Sequence, residues 1–493
     1  MFVYSGNFLI QAEVDAYDVT RLQIGMNPES FSWLLEPGQS FQSPEVLLVY
    51  SNKGLNQMSQ TYHNLLNSRV VQGKWRHKPR PIVLNNWEAT YFDFNEEKLL
   101  SIVEKGKKAG VELFVLDDGW FGQRNNDYTG LGDWVENKEK LPDGLNGLAK
   151  KVNDLGMAFG LWIEPEMINK DSDLYRNHPE WLLHTPGRMA SPGRQQYVLN
   201  FANEEVVTYL FNKISNLLSS ANITYIKWDM NRSISEAFDA SRSSKQQGEV
   251  HHRYILGVYQ LYEQLINRFP EVLFESCASG GGRFDAGMLY YAPQAWASDN
   301  SDAIDRLSIQ YGTSLAYPLS SIGAHVSIVP NHQVNRVTSL KTRGNVAYFG
   351  AFGYELDLNR LSTEEFTEVK KQITFIKEYR ELLQYGNFYR LASPFEGNII
   401  SWMVVSKDKK QTIVGYYKKL NEVNVSFKRV RLLGLEPTIN YQLKGTSQKF
   451  HGDELMNIGL LTTDASSGQF QASLGFGESV DFDSRIFILE AVD

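Results

Sequence analysis

The chain has 493 residues, more than one hydrophobic core usually serves, so at least two domains are expected, one of them large enough for a barrel of ~250 residues. Hydrophobic residues make up 42% and charged residues 22% of the sequence, a globular balance that excludes a disordered chain. The net charge of -8 is spread along the chain, which argues against nucleic acid or an anionic membrane as partner.

The single cysteine excludes an internal disulfide and fits a reducing compartment. No segment has the ~18 uncharged apolar residues of a membrane span, and the start lacks a charged leader ahead of an apolar run. The cytoplasm is therefore the expected location. The aromatic share of 13% is high, and flat apolar faces with polar edges suit ring-shaped polar ligands.

Residues 1 to about 70 read as strand pieces, "GNFLIQAEV" and "PEVLLVYS", followed by a short amphipathic helix at "MSQTYHNLLNS". "VQGKWRHKPRPIV" then reads as a linker. From Pro81 onward, short apolar runs alternate with helix-period segments: "PIVLNNW", "VELFVLDDGW", "MAFGLWIEPE", "QYVLNF", "ITYIKWDMN", "VLFESCAS", "QAWASDN" and "IGAHVSI". Eight such runs predict a (β/α)8 TIM barrel. Among the intervening helices, one carries Leu145, Leu148, Val152 and Leu155 on one face and stops at Gly156; another opens with a capping box, Ser362 to Glu365. After about Ser393 the runs "NIISWMVVS", "QTIVGYY", "VSFKRVRLL" and "RIFILEAV" predict a C-terminal antiparallel β-sandwich.

Catalytic groups of such a barrel sit at the C-terminal ends of its strands. Those positions hold Trp87 and Glu88; Asp117, Asp118 and Trp120; Trp162, Glu164 and Glu166; Lys227 and Asp229; Cys277 with the glycines 280 to 282; and Trp296, Asp299 and Asp302. Each has a plainer explanation. Asp302 is expected to be a helix N-cap, Cys277 a small buried hydrophobe and the tryptophans core aromatics, but capping and packing do not account for so many strand ends at once.

Alternation along a strand puts Lys227 and Asp229 on one side and Trp228 on the other. A nearby ammonium favours an ionised carboxylate, the state a nucleophile needs. Retaining glycoside cleavage also needs a second, protonated carboxyl ~5 Å away, and Asp299 in "WASDN" is the best candidate.

The motifs "NNWEATYFDFNE", "LDDGWFG", "GLWIEPEM", "SPGRQQYVLN", "YIKWDMNR", "ESCASGGGRFD" and "WASDNSDAIDR" together resemble the bacterial retaining alpha-galactosidases called melibiases, glycoside hydrolase family thirty-six. The resemblance implies three domains: residues 1–75, the tail of an N-terminal β-sandwich most of which is missing, with a linker helix; 76–390, the catalytic barrel; and 391–493, the C-terminal sandwich. It implies Asp229 as nucleophile and Asp299 as general acid/base. It further implies Asp117 and Asp118 on the galactose 4- and 6-hydroxyls, Lys227, Arg194 and Asn231 as polar sugar contacts, Trp87 and Trp162 as subsite walls, and Cys277 with Gly280 beside the 2-hydroxyl. The implied substrates are α-1,6-galactosides such as melibiose and raffinose, with neither metal nor organic cofactor; whether the chain forms a homo-oligomer without the rest of its N-terminal domain stays open. Three alternatives also stay open: a galactosyl transglycosylase of the same family, an inactive galactose-binding truncation, and a metal-dependent barrel lyase or isomerase with Asp117, Glu164 and Glu166 on magnesium and Lys227 as base.

Overall fold

The computed structural model describes residues 1–422, 428–462 and 481–492. Eight strands close into a parallel barrel in chain order: β1 (Val83–Asn85), β2 (Leu113–Leu116), β3 (Ala158–Ile163), β4 (Tyr225–Trp228), β5 (Leu273–Ser276), β6 (Gln294–Trp296), β7 (Ile322–Ser327) and β8 (Ala351–Glu355). Their residues are almost all buried, as expected for strands covered on both faces, and such strands read as short continuous apolar runs.

One of the expected runs needs correction, and one barrel strand was not among them. "QYVLNF" is not a barrel strand: only Tyr197 and Val198 are extended, paired antiparallel with Met167 and Ile168 in the connection after β3. It is apolar because that connection is itself packed, with Leu199 and Phe201 buried. The missing barrel strand is β8, "AFGYE", where glycine interrupts the strand pattern. A Cβ at Gly353 would lie 2.6 Å from His325 Cδ2 and 2.9 Å from Val83 O, so neighbouring strands approach too closely there for a side chain. Lys227 therefore lies on the fourth strand, and Cys277 and Asp299 follow the fifth and sixth.

The chain separates into two compact units. The first comprises Met1–Val49, Leu66–Lys78 and Leu84–Asp299, and so carries β2 to β6. Its N-terminal part is a hairpin of Phe8–Val14 with Thr20–Met26, whereas "PEVLLVYS" forms no strand and makes only one bridge, Val46 to Phe2. That stretch is largely exposed, so its apolar residues gain no sheet partner or core face. The N-terminal segment docks on the helix Val250–Arg268, where Tyr4 Oη pairs with His252 Nδ1 at 2.9 Å and the Ser5 N–H donates to Tyr259 Oη at 2.8 Å, and on the N-cap of the helix Ala286–Tyr291, where Ser5 Oγ donates to Asp285 Oδ1 at 2.7 Å.

The second unit comprises Tyr50–Leu65, Pro79–Val83 and Asn300–Asp493. It holds β7, β8 and the helix Thr363–Tyr385, whose capping box is formed by Ser362 and Glu365 as expected. Its antiparallel sheet runs in the order Asn387–Ala392, Ile399–Val405, Gln411–Lys418, Asp483–Val492, Asn440–Leu443 and Lys449–His451. Arg429–Val430 with Leu460–Leu461 forms a smaller second sheet. Met403, Val414, Leu432, Tyr441, Leu455 and Leu489 belong to the core of this region. Of the run "VSFKRVRLL", residues 425–427 lie outside the described residues. Among the described residues no helix is long and apolar enough to cross a membrane.

Candidate active site

The turn after β4 is built around Asp229. Its backbone N–H donates to Ile163 O at 2.8 Å, which extends the β3–β4 pairing by one residue. Its Oδ1 accepts from the Met230 N–H at 2.9 Å, and its Oδ2 accepts from Asn231 Nδ2 at 2.8 Å and Trp162 Nε1 at 3.2 Å. These donors aim both oxygens. Trp228 points the other way, as alternation requires: its Nε1 donates to Glu166 Oε1 at 2.9 Å, and its ring stacks on Tyr262 with centroids 4.0 Å apart.

Asp117 and Asp118 follow β2 and are both buried. Asp117 Oδ2 accepts from Lys227 Nζ at 2.8 Å and from Asn85 Nδ2 at 2.6 Å. Asp118 faces Arg124, whose Nε donates to Oδ1 at 3.0 Å and whose Nη2 donates to Oδ2 at 2.8 Å. Burial pushes the Asp118 carboxyl up, and Arg124 opposes it. Trp87 stands half-buried at the end of β1, edge-on to Tyr91 and Phe92, while Trp162 is buried and lies parallel to Phe121.

Cys277, directly after β5, connects the two catalytic candidates. Burial, followed by the charge of Asp229, pushes its thiol well up; Asp299 and Lys227 also act on it, and its side chain hydrogen-bonds Asp229. The thiol therefore stays protonated, hydrogen-bonded to Asp229 and within reach of the charge of Asp299. Asp299 is half-buried, and its segment runs against the glycines. Gly280 bridges Ser298 and has φ 81°, and a Cβ there would lie 2.5 Å from the Asp299 amide nitrogen. At Gly281 a Cβ would lie 2.3 Å from Ala297 O. These two glycines let one backbone seat another.

Not every candidate is brought into this cluster. Arg194 is exposed on a tight turn, at φ 50°, between Gly193 and Gln196. Asp302 is the helix N-cap, accepting from the Ile304 and Asp305 N–H groups. The set weighed for magnesium is divided among different partners: Asp117 pairs with Lys227, Glu166 with Arg283, and Glu164 accepts from Asn231 and Gln196. No group of three or more His, Cys, Asp or Glu among the described residues is arranged to hold a metal ion.

Three residues escaped the sequence reading. Asn85 and Arg124 hold the carboxylates of Asp117 and Asp118, and Arg283 clamps Glu166 with Nη1 at 2.9 Å and Nη2 at 2.6 Å. A usable signal existed for two of them, since Arg124 closes "DDGWFGQR" and Arg283 closes "ESCASGGGR", basic residues placed just past acid-bearing strand ends.

Fold and site together define a (β/α)8 barrel protein with an acid-lined mouth, one carboxylate held by neutral donors and a second sharing the space around a buried thiol. The melibiase family profile matches residues 40–386, and the N- and C-terminal domain profiles of glycosyl hydrolase family 36 match residues 1–36 and 399–489; the chain belongs to this family. It is 55% identical over 459 residues to Alpha-galactosidase AgaA of Geobacillus stearothermophilus, covering 93% of this chain and 63% of that protein. It is 48% identical to Alpha-galactosidase Mel36A of Lactobacillus acidophilus, covering 96% of this chain and 64% of that one. The crystal structure of AgaA superposes with a TM-score of 0.96 at 53% identity, covering all of this chain and 66% of AgaA. Variants of AgaA have been crystallised in complex with raffinose and with stachyose. The chain thus spans just under two thirds of the length of these relatives.

Proposed function

We propose that the chain is an alpha-galactosidase that hydrolyses terminal non-reducing α-D-galactosyl residues, as in melibiose and raffinose, with retention of configuration. The observation that carries this reading is the placement of Asp229 and Asp299 about the buried Cys277, in a chain that shares 55% identity with AgaA. Asp229, aimed by Trp162, Met230 and Asn231, attacks the anomeric carbon while Asp299 protonates the departing oxygen. The resulting β-linked galactosyl ester is hydrolysed by a water that Asp299 deprotonates, releasing α-galactose.

In this reading Asp117 and Asp118 accept hydrogen bonds from the 4- and 6-hydroxyls, and their orientations are fixed by Lys227 and Arg124. Trp87 and Trp162 wall the subsite, Cys277 and Gly280 flank the 2-hydroxyl, and Asn231 completes the polar contacts; Arg194, exposed on its turn, has no part in this set. The steps draw on no metal or organic cofactor. The cytoplasm is the compartment we assign, on the single cysteine.

Azide rescue with p-nitrophenyl α-galactoside tests the two assignments separately. In Asp229→Ala, azide fills the place of the carboxylate and attacks directly, so β-galactosyl azide is expected. In Asp299→Ala the galactosyl-enzyme still forms and azide replaces water, giving α-galactosyl azide. The reverse pattern of products, or hydrolysis undiminished in Asp229→Ala, overturns the roles.

A further inference from the structure

Glu164 is fully buried, follows β3 directly and has no part in the mechanism above. Its Oε1 accepts the Asn231 N–H at 2.5 Å, and Asn231 in turn donates through Nδ2 to Asp229 Oδ2 at 2.8 Å. A carboxyl group on β3 thereby fixes the main chain two residues past the nucleophile, and the amide on that main chain reaches back to it. The second oxygen, Oε2, faces Gln196 Nε2 at 3.1 Å. In that placement Gln196 Oε1 is buried without a hydrogen-bond partner, an expensive state for a carboxamide oxygen.

Which end of a carboxamide is oxygen follows from its partners. Turning the Gln196 amide over brings its Oε1 to Glu164 Oε2, a hydrogen bond only if Glu164 carries a proton, and sets Nε2 where Oε1 now has no partner; the protonated and ionised forms of Glu164 thus call for opposite orientations of this amide. The groups around Glu164 act in both directions, and the hydrogen bonds from the Asn231 side chain and backbone favour its ionised form. Asp229 opposes its ionisation, as burial does more strongly, while Arg124 favours it, and the carboxyl is pushed up to about 8.

We propose that Glu164, as the protonated acid, is a positioning residue for the nucleophile: its Oε1 holds the Asn231 main chain so that the Asn231 amide stays on Asp229, and its proton rests on Gln196. The inference depends on Asp229 being the nucleophile. Glu164 contributes geometry and the absence of a second negative charge, and it does not touch the sugar. Loss of its proton places a like charge beside Asp229 and releases Gln196, so attack slows in alkaline solution.

The test uses 2,4-dinitrophenyl α-galactoside, whose leaving group departs without a proton, so that kcat/KM reports attack by Asp229 without the acid role of Asp299. Wild type is expected to lose rate above pH ~8. Glu164→Gln is a neutral isostere that can accept from the Asn231 N–H and donate to Gln196 Oε1; it should keep kcat/KM within about fivefold of wild type at pH 6 and show no fall through the same alkaline range. Glu164→Ala should lower kcat by about 30- to 100-fold with KM changed less than threefold.

A Glu164→Gln profile that falls as wild type does overturns the proposal. So does a Glu164→Ala enzyme of normal kcat, whatever its melting temperature; if the alanine variant does not fold, the glutamine profile decides. Failure of the nucleophile assignment appears separately, as an Asp229→Ala enzyme that hydrolyses the same substrate.

Discussion

Glu166→Gln removes a charge from the most heavily hydrogen-bonded carboxylate near the barrel mouth while keeping its shape. That carboxylate is fully buried and receives Arg283 Nη1 at 2.9 Å and Nη2 at 2.6 Å, Tyr254 Oη at 2.7 Å and Trp228 Nε1 at 2.9 Å. The substitution leaves the Arg283 guanidinium buried without its counter-ion, a change that costs ~3–5 kcal/mol. At ~2.1 cal/mol/K per residue, a chain of 493 residues has an unfolding entropy of ~1 kcal/mol/K, so the melting temperature should fall by ~3–5 °C if the chain unfolds as one. Adding Arg283→Met removes the stranded cation, and the double variant should recover ~2 kcal/mol relative to the sum of the single losses. Differential scanning calorimetry on the three variants supplies the numbers. A single-variant shift below ~1 °C, or strictly additive losses, would show that Glu166 and Arg283 are not a mutually dependent buried pair.

Gly280→Ala is expected to lower kcat by about 100-fold with little change in KM. Its Cβ would meet the Asp299 amide nitrogen at 2.5 Å in a left-handed backbone, displacing the proposed acid/base while leaving Asp117 and Asp118 in place; parallel rises in KM at unchanged kcat would refute this. A separate effect concerns acid stability. His63, whose Nε2–H donates to Ser314 O at 2.9 Å, and His252, ringed by Tyr4, Trp33 and Phe41, are both held down to about 4, chiefly by burial. Because the unfolded imidazoles take up protons near pH 6.5, the stability tied to their neutral forms is complete above that pH and is lost as pH falls toward 4. Urea midpoints measured from pH 7.5 to 5 should drop, and His63→Gln with His252→Gln should flatten the slope; an unchanged slope removes both residues from the explanation.

The barrel was legible in the sequence because strands buried on both faces leave uninterrupted apolar runs, and the candidate acids were legible because each directly follows such a run. The same rule failed where its physical basis was missing. "QYVLNF" is apolar because a loop packs on the barrel, and β8 is broken by Gly353, which close strand approach demands. Pairing was harder to read than position. Lys227 and Asp117 are 110 residues apart, and Glu166 and Arg283 are 117 apart; no local spacing encodes contacts created by barrel closure and loop return. The sequence argument linked Lys227 to Asp229 because alternation sets them on one side, but it did not pair Lys227 with Asp117, which follows the second strand and accepts from the same ammonium at 2.8 Å.

That difference separates the acids by the kind of donor that holds them. Asp117 is bonded to Lys227, Asp118 to Arg124 and Glu166 to Arg283, each a charge-assisted hydrogen bond that fixes an oxygen but also draws electron density toward a cation. The hydrogen bonds described for Asp229 come from an indole, a carboxamide, a backbone amide and the Cys277 thiol. A guanidinium or ammonium fixes a carboxylate through one strong charged contact, whereas several uncharged donors hold its oxygens from separate side chains and backbone. Carboxylates that must recognise hydroxyls or brace the turn gain from a firm cationic grip, because their task is to stay in place. If Asp229 is the nucleophile as proposed, the carboxylate that forms and then breaks a bond to the sugar is the one held from several sides by uncharged donors, and Glu164, acting through Asn231, would keep that arrangement in register.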